Sequence, residues 1–283
     1  MSDQFDNVPD GADYHRRFYR GEDITSAFDD GSFSARVADG TFRDIFLGDF
    51  IRKEFTDPNV DYVESSTQIV EFVVADLDSA MNYGCHMVTA HHAVIVPRWG
   101  LFSTYMNPTD TNAGGYAASY MNRTVMPAFA EGLAASFGLS HLLKFNADGR
   151  SCLCRLMTLS MVFGHTVTWW PGKSWSDFNK DDCMGGEQLA AFRLDPLNLL
   201  MSQNYWVSDT WSAGKAFAII LYNHDLGCVC AGAGGASLDA PPTTAGRLHT
   251  QQFALSSCFA NLQTAVLQRG RRHMSVIKRF RRE

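Results

Sequence analysis

The run QIVEFVVADLD, residues 68–78, sets β-branched and aromatic side chains next to one another instead of alternating them with polar ones. Strand side chains point to the two faces in turn, so an unbroken apolar run reads as a strand buried on both faces. AHHAVIVP, residues 90–97, reads as another strand, closed by Pro97, which has no N–H to give to a ladder. Upstream, TFRDIFLGDFI (41–51) alternates around Phe42, Ile45, Leu47 and Phe50, and Gly48-Asp49 predicts a turn between two short strands.

Between 119 and 137 the period changes. Met121, Val125, Phe129, Leu133 and Phe137 recur at steps of four, the mark of an amphipathic helix. Pro127 lies inside this stretch and predicts a break or kink, with a second helix starting near it. Residues 153–163 read as a further short helix. KAFAIILY (215–222), LGCVCAG (226–232) and QFALSSCF (252–259) read as short antiparallel strands, the last two separated by the Gly- and Pro-rich AGAGGASLDAPPTTAG. Strands and helices without βαβ alternation predict an α+β fold. The first forty residues, rich in Asp, Gly and Ser with scattered aromatics, read as an arm packed on the body, giving a division into 1–40, 41–260 and a tail of 261–283.

A hydrophobic content of 46% suits a globular core, and no run of 18 apolar residues predicts a membrane span. The polar N-terminus lacks the apolar segment of a secretory signal, so synthesis in the cytoplasm is expected. Seven of the 24 Lys+Arg and one of the 30 Asp+Glu fall within 268–283, leaving a body of 267 residues with 17 basic and 29 acidic groups. The tail residues Arg269, Arg271, Arg272, Lys278, Arg279, Arg281 and Arg282 could anchor the chain to nucleic acid, to its own acidic body or to a neighbouring subunit.

CHMVTAHHAVIVP (85–97) gathers Cys85, His86, His91 and His92. On a strand His91 and His92 face opposite ways, so they cannot converge within the about 2.0–2.3 Å a zinc ion demands. One satisfied histidine and one exposed neighbour is the expected outcome. The seven cysteines are odd in number, and Cys152/Cys154 and Cys228/Cys230 are spaced C-x-C, not as zinc or redox pairs, so reduced, buried thiols are expected. No nucleophile elbow, zinc-protease helix, P-loop or dinucleotide fingerprint occurs, and no acidic loop has calcium-ligand spacing, so the sequence implies no catalytic residue, metal or cofactor. Aromatics in polar surroundings are more telling: Tyr205, Trp206 and Trp211 near Ser208, Asp209, Ser212 and Lys215, and Trp169, Trp170 and Trp175 in a second stretch. Such residues supply contact area at low entropic cost on binding surfaces, although Trp170 and Trp206 are expected to pack loops onto the sheet.

HRRFYRGEDITSAFDDGSFSARVADGTFRDIFLGDFI, TAHHAVIVP, MNPTDTNAGGYAASYMNRTVMPAF, SHLLKF, AAFRLDP and YWVSDTWSAGKAFAII stand in that order along the chain. Together they resemble a phage and prophage protein family of unknown function, frequent in viruses of gut bacteria and usually described as virion, tail or adhesion proteins. The resemblance spans about residues 14–222, and the histidine strand is one of its landmarks. It implies a C-type-lectin-like fold of the formylglycine-generating type, with a small twisted antiparallel sheet, flanking helices and long loops ending in a display surface.

A non-enzymatic virion component follows: a tail, fibre or decoration protein, homo-oligomeric, beside other virion proteins, binding a host-surface glycan or protein. Trp211, Ser212, Lys215, Tyr222, Asn223, His224 and Asp225 are the ligand-binding candidates, and YNHDLGCVCAG would suit a retroelement-diversified surface. Two alternatives are a structural assembly protein anchored through its basic tail, and a formylglycine-generating enzyme, for which Cys228, Cys230 and Cys258 are the candidate thiols. In such proteins a Gly-Val-Arg-Pro strand commonly closes the fold, whereas this chain has AGRLHTQQFAL at 245–255.

Overall fold

A computed structural model describes residues 10–61, 63, 65–79, 81, 88–102, 104–109, 111–147, 150–164, 178–179, 187–195, 205–211, 216–221 and 227–232. It is a mixed α+β structure with antiparallel sheets. In chain order the elements are α1 (Ala12–His15), α2 (Thr25–Asp29), α3 (Ser32–Ala38), β1 (Phe50–Thr56), β2 (Thr67–Leu77), β3 (Ala93–Pro97) and α4 (Gly115–Ala118). A π turn, Met121–Val125, runs into α5 (Met126–Phe137), followed by β4 (Phe145–Ala147), β5 (Arg150–Cys152), α6 (Leu159–Phe163) and β6 (Phe178–Asn179). Then come α7 (Ala190–Leu194), β7 (Tyr205–Trp211), β8 (Ala216–Leu221) and β9 (Gly227–Gly232). The sheets are ordered β1-β2-β3, β4-β5 and β6-β7-β8-β9.

β2 is the centre of the first sheet, and from Phe72 to Leu77 every residue is buried, as its composition demands. Its first half is different: Ile69 is exposed and Val70 buried, so packing covers both faces only beyond Glu71. One face carries α5. Phe129, Leu133 and Phe137, four apart, share one side of that helix. There Phe137 meets Phe72 edge-on at 4.9 Å and Phe129 lies 5.0 Å from Phe55. Gly132 allows this approach, since a Cβ there would stand 3.0 Å from the Phe55 ring and from the Thr56 carbonyl. The arm packs on the same core: Phe28 of α2 lies 5.4 Å from Phe137.

As expected, an α-helix starts next to Pro127, at Met126, with the proline in its first turn; what precedes it is not a gap but the π turn Met121–Val125, which runs directly into it. Residues 41–48 depart from expectation. Instead of a strand they form a bent stretch with φ of 51° at Phe42, 55° at Asp44 and 82° at Gly48. Left-handed backbone is unfavourable for Phe and Asp, but the bend buries Phe42, Ile45 and Leu47 almost completely. The helix expected over 153–163 is confined to Leu159–Phe163, capped by Thr158, whose Oγ1 accepts from the Met161 N–H at 3.1 Å.

The four-stranded sheet contains two of the strands expected near the C-terminus, at 216–221 and 227–232; 252–259 lies outside the described residues. β7 ties this sheet to the rest: Trp206 to Thr210 are all buried, and the Ser208 N–H donates to the Met157 carbonyl at 2.9 Å. Trp206 packs as expected, its indole Nε1 donating to the Thr104 carbonyl at 3.4 Å. Among the described residues no helix is long and apolar enough to cross a membrane.

Candidate functional site

The histidine pair lies just before β3, not on it. Asp78, at the end of β2 with φ 51°, gathers both residues. Its Oδ2 lies 2.8 Å from His91 Nδ1, its Oδ1 accepts the His92 N–H at 2.8 Å, and its own N–H donates to the His92 carbonyl at 2.9 Å. His92 is buried, with Nδ1 3.0 Å from the Ala90 carbonyl; His91 is exposed. The far nitrogen of His91, the one a general base would present, abuts Gly40: a Cβ there would fall 2.5 Å from Nε2. Phe42 meets the same ring edge-on at 6.0 Å. Thus the corner has the hydrogen bonding of a His–Asp pair, yet it clamps the β2–β3 connection to the 40–42 bend. Cys85 and His86 lie outside the described residues, and among the described residues no three His, Cys, Asp or Glu side chains group as a metal site.

Buried carboxylates elsewhere also act as joints. Asp76 follows a β-bulge in β2, where the pairing register skips one residue after Val74. It receives Arg16 Nε at 2.6 Å and Nη2 at 3.2 Å, its neighbour Leu77 N–H at 2.8 Å and the Ala190 N–H of α7 at 3.0 Å. Asp49, fully buried, receives Arg20 Nε at 3.0 Å and Nη2 at 2.7 Å together with the N–H groups of Glu22 and Phe46. Burial works against the Arg20 charge, but hydrogen bonds to Asp49 and Asp44 outweigh it and raise its pKa. Asp209 of β7 accepts the first N–H of α6, from Leu159, at 2.7 Å. Asp57 has a raised pKa because burial disfavours its charge, opposed by the Ser66 hydroxyl at 2.6 Å. The sequence does not announce these joints, because the partners that tie distant segments lie far along the chain, from 27 residues for Glu22 and Asp49 to 114 for Asp76 and Ala190.

The thiols are equally quiet. Cys152 and Cys154 are free, and Cys154 donates to the Met126 carbonyl at 3.6 Å. Burial pushes the Cys154 thiol far above its ordinary range, so it stays protonated and is no nucleophile. Ser34 Oγ and His141 Nδ1 meet at 2.9 Å on the surface, a pairing across 107 residues that the sequence did not signal. A cavity of about 90 Å³ opens between β3, the π turn with α5, and residues 154–157, with Phe72, Ile95, Phe102, Phe129 and Leu133 on its walls.

Of the ligand-binding candidates, the structure describes only the backbone of Trp211, the last residue of β7, paired with Phe178 of β6. Ser212 and Lys215 fall in the join between β7 and β8, and Tyr222, Asn223, His224 and Asp225 in the join between β8 and β9; their own structure lies outside the described residues. The strands are antiparallel, so these two joins leave opposite ends of β8. The register therefore does not gather the seven candidates at one end. Cys228 and Cys230 sit on β9 opposite Ile220 and Ala218. Trp169, Trp170, Trp175, Cys258 and the tail arginines and lysines also lie outside the described residues.

Compared with protein-family models, with curated proteins and with solved structures, this chain matches none.

Proposed function

We propose that this chain is a non-enzymatic component of a bacteriophage particle, a C-type-lectin-like module that displays a recognition surface to a host-cell glycan or protein. The observation that carries the reading is the antiparallel sheet β6-β7-β8-β9, whose joins hold the polar and aromatic candidates. Its strand β7 is anchored in the body by Trp206, Ser208 and Asp209. In the body, Asp49, Asp76 and Asp78 are engaged in holding elements together, as a rigid support for display requires. The family resemblance over residues 14–222 supplies the virion context.

The two joins leave opposite ends of β8, whose six residues span about 17 Å at roughly 3.4 Å per residue, so the candidates are tested as two sets. Trp211, Ser212 and Lys215 make one; Tyr222, Asn223, His224 and Asp225 make the other. The test replaces each set by alanine separately and measures phage adsorption to host cells, with urea denaturation as the folding control. One set should lower adsorption while the midpoint stays in place. Unchanged adsorption for both sets would refute receptor binding.

The basic block at 268–283 favours a second role, anchoring to neighbouring virion proteins or to nucleic acid. Deleting it and measuring incorporation into particles separates the two. Lost incorporation identifies an assembly anchor; intact particles leave display as the function.

A further inference from the structure

The cavity between β3, the π turn with α5, and residues 154–157 takes its walls from elements outside the sheet β6-β7-β8-β9. Most of the lining is apolar: Phe72, Ile95, Phe129 and Leu133 stand there with three thioethers, Met121, Met126 and Met157. One lining residue is charged. Arg155 belongs to the wall, and the Nε and Nη1 of its guanidinium are buried. The central carbon of that guanidinium stands over the Tyr116 ring, 5.4 Å from its centre. Its N–H donors lie in the guanidinium plane, so contact of the cation with a ring does not consume them.

We infer that this cavity binds a small aliphatic carboxylate, its hydrocarbon end among the apolar walls and its carboxylate on the Arg155 guanidinium. Pockets for small molecules combine apolar walls with a few polar groups that fix the ligand's orientation. A guanidinium gives carboxylate oxygens charge-assisted hydrogen bonds, roughly twice as strong as neutral ones. Burial holds the Cys154 thiol protonated on the same wall, so these surroundings disfavour an anion. A carboxylate is therefore stable only beside the cation, where the low dielectric strengthens their attraction. At about 90 Å³ the space is smaller than the apolar cavities of about 150 Å³ that take benzene, so the chain of the ligand is short. The unbranched methionines adapt to its shape.

The full-length chain carrying ¹³C-methyl methionine is titrated with butanoate, 1-butanol and butylammonium, and methyl resonances are followed by NMR. Three of the 11 methionines line the cavity, and butanoate should shift their methyl signals saturably while the others stay still. 1-Butanol, with the same chain and no charge, should bind about tenfold more weakly, and butylammonium should not saturate the site. From acetate to butanoate the affinity should rise about fourfold per methylene, as burial of the chain requires. Arg155→Gln should weaken butanoate about tenfold and leave 1-butanol unchanged, and Leu133→Phe, which fills the space, should abolish the shifts with both. The ligand series on the unaltered chain decides the matter where a variant does not fold. No shift at Met121, Met126 and Met157 with butanoate overturns the inference, as do equal affinities for butanoate and 1-butanol or an unchanged butanoate affinity in folded Arg155→Gln.

Discussion

Replacing Asp76 by alanine should destabilise the protein more than any surface substitution, because one carboxylate serves three elements. Its side chain is 1% exposed and takes two hydrogen bonds from Arg16, which caps the end of α1, and one each from the Leu77 and Ala190 N–H groups. Breaking a buried ion pair by removing one partner costs about 3–5 kcal/mol. Arg16 keeps 19% of its side chain exposed, so water recovers part of its charge and the lower end, about 3 kcal/mol, applies. Orphaning the two backbone donors adds about 1 kcal/mol, giving about 4 kcal/mol against a typical total of about 5–15.

With a urea dependence of about 2.5 kcal/mol per molar, the midpoint falls by about 1.6 M. Asp76→Asn keeps one acceptor oxygen and the shape of the side chain, and should cost about half as much. Glu187, 3.9 Å from Arg16 and 76% exposed, is the internal control, and Glu187→Ala should leave the midpoint unchanged. A double-mutant cycle between Asp76→Ala and Arg16→Ala should give a coupling of about 2 kcal/mol. A loss below about 1 kcal/mol for Asp76→Ala, or no coupling to Arg16, would refute the joint.

His15 is almost fully buried beside Phe46 at 4.7 Å and Tyr14 at 5.4 Å, and its pKa is lowered. Burial is the main cause and outweighs Asp10 and Asp44, which pull the other way. The folded state therefore resists a proton that the unfolded state accepts near pH 6.5, and stability should fall as pH drops below that value, by up to about 1.4 kcal/mol per unit. Urea midpoints between pH 7 and 5 should show this slope in the wild type and a shallower one in His15→Phe. Gly40→Ala should cost about 2 kcal/mol, combining left-handed backbone at φ 73° with a Cβ 2.5 Å from His91 Nε2, and should shift the His91 imidazole resonances. Gly31→Ala, at φ 80° with nothing within 4 Å, should carry only the backbone part, about 1 kcal/mol, without moving His91.

Local chemistry made some elements legible. The β-branched run at 68–78 became the central strand, Pro97 ended β3, and the four-residue period of Phe129, Leu133 and Phe137 became the face of α5. Side-chain alternation and helical spacing are properties of a few consecutive residues, so the chain itself specifies them. Pro127 likewise marked the start of α5, although the sequence does not say that the disturbance before it takes the form of a π turn.

The tertiary structure decided the rest. Phe42, Ile45 and Leu47 carry the pattern of a strand, yet the core takes them from a bend, since burying three large side chains outweighs unfavourable backbone at Phe42 and Asp44. His91 is exposed and His92 buried, as expected, but the two do not divide between strand faces: both bring Nδ1 to Asp78, thirteen residues before His91, at 2.8 and 3.7 Å. Asp76 finds Arg16 sixty residues back and Ala190 far ahead, distances over which no pattern along the chain can signal a hydrogen bond. Periodicity determined the central strand and the face of α5; which charges met, and that the joins flanking β8 leave its opposite ends, required the folded register, because those partnerships exist only once separated segments are brought together.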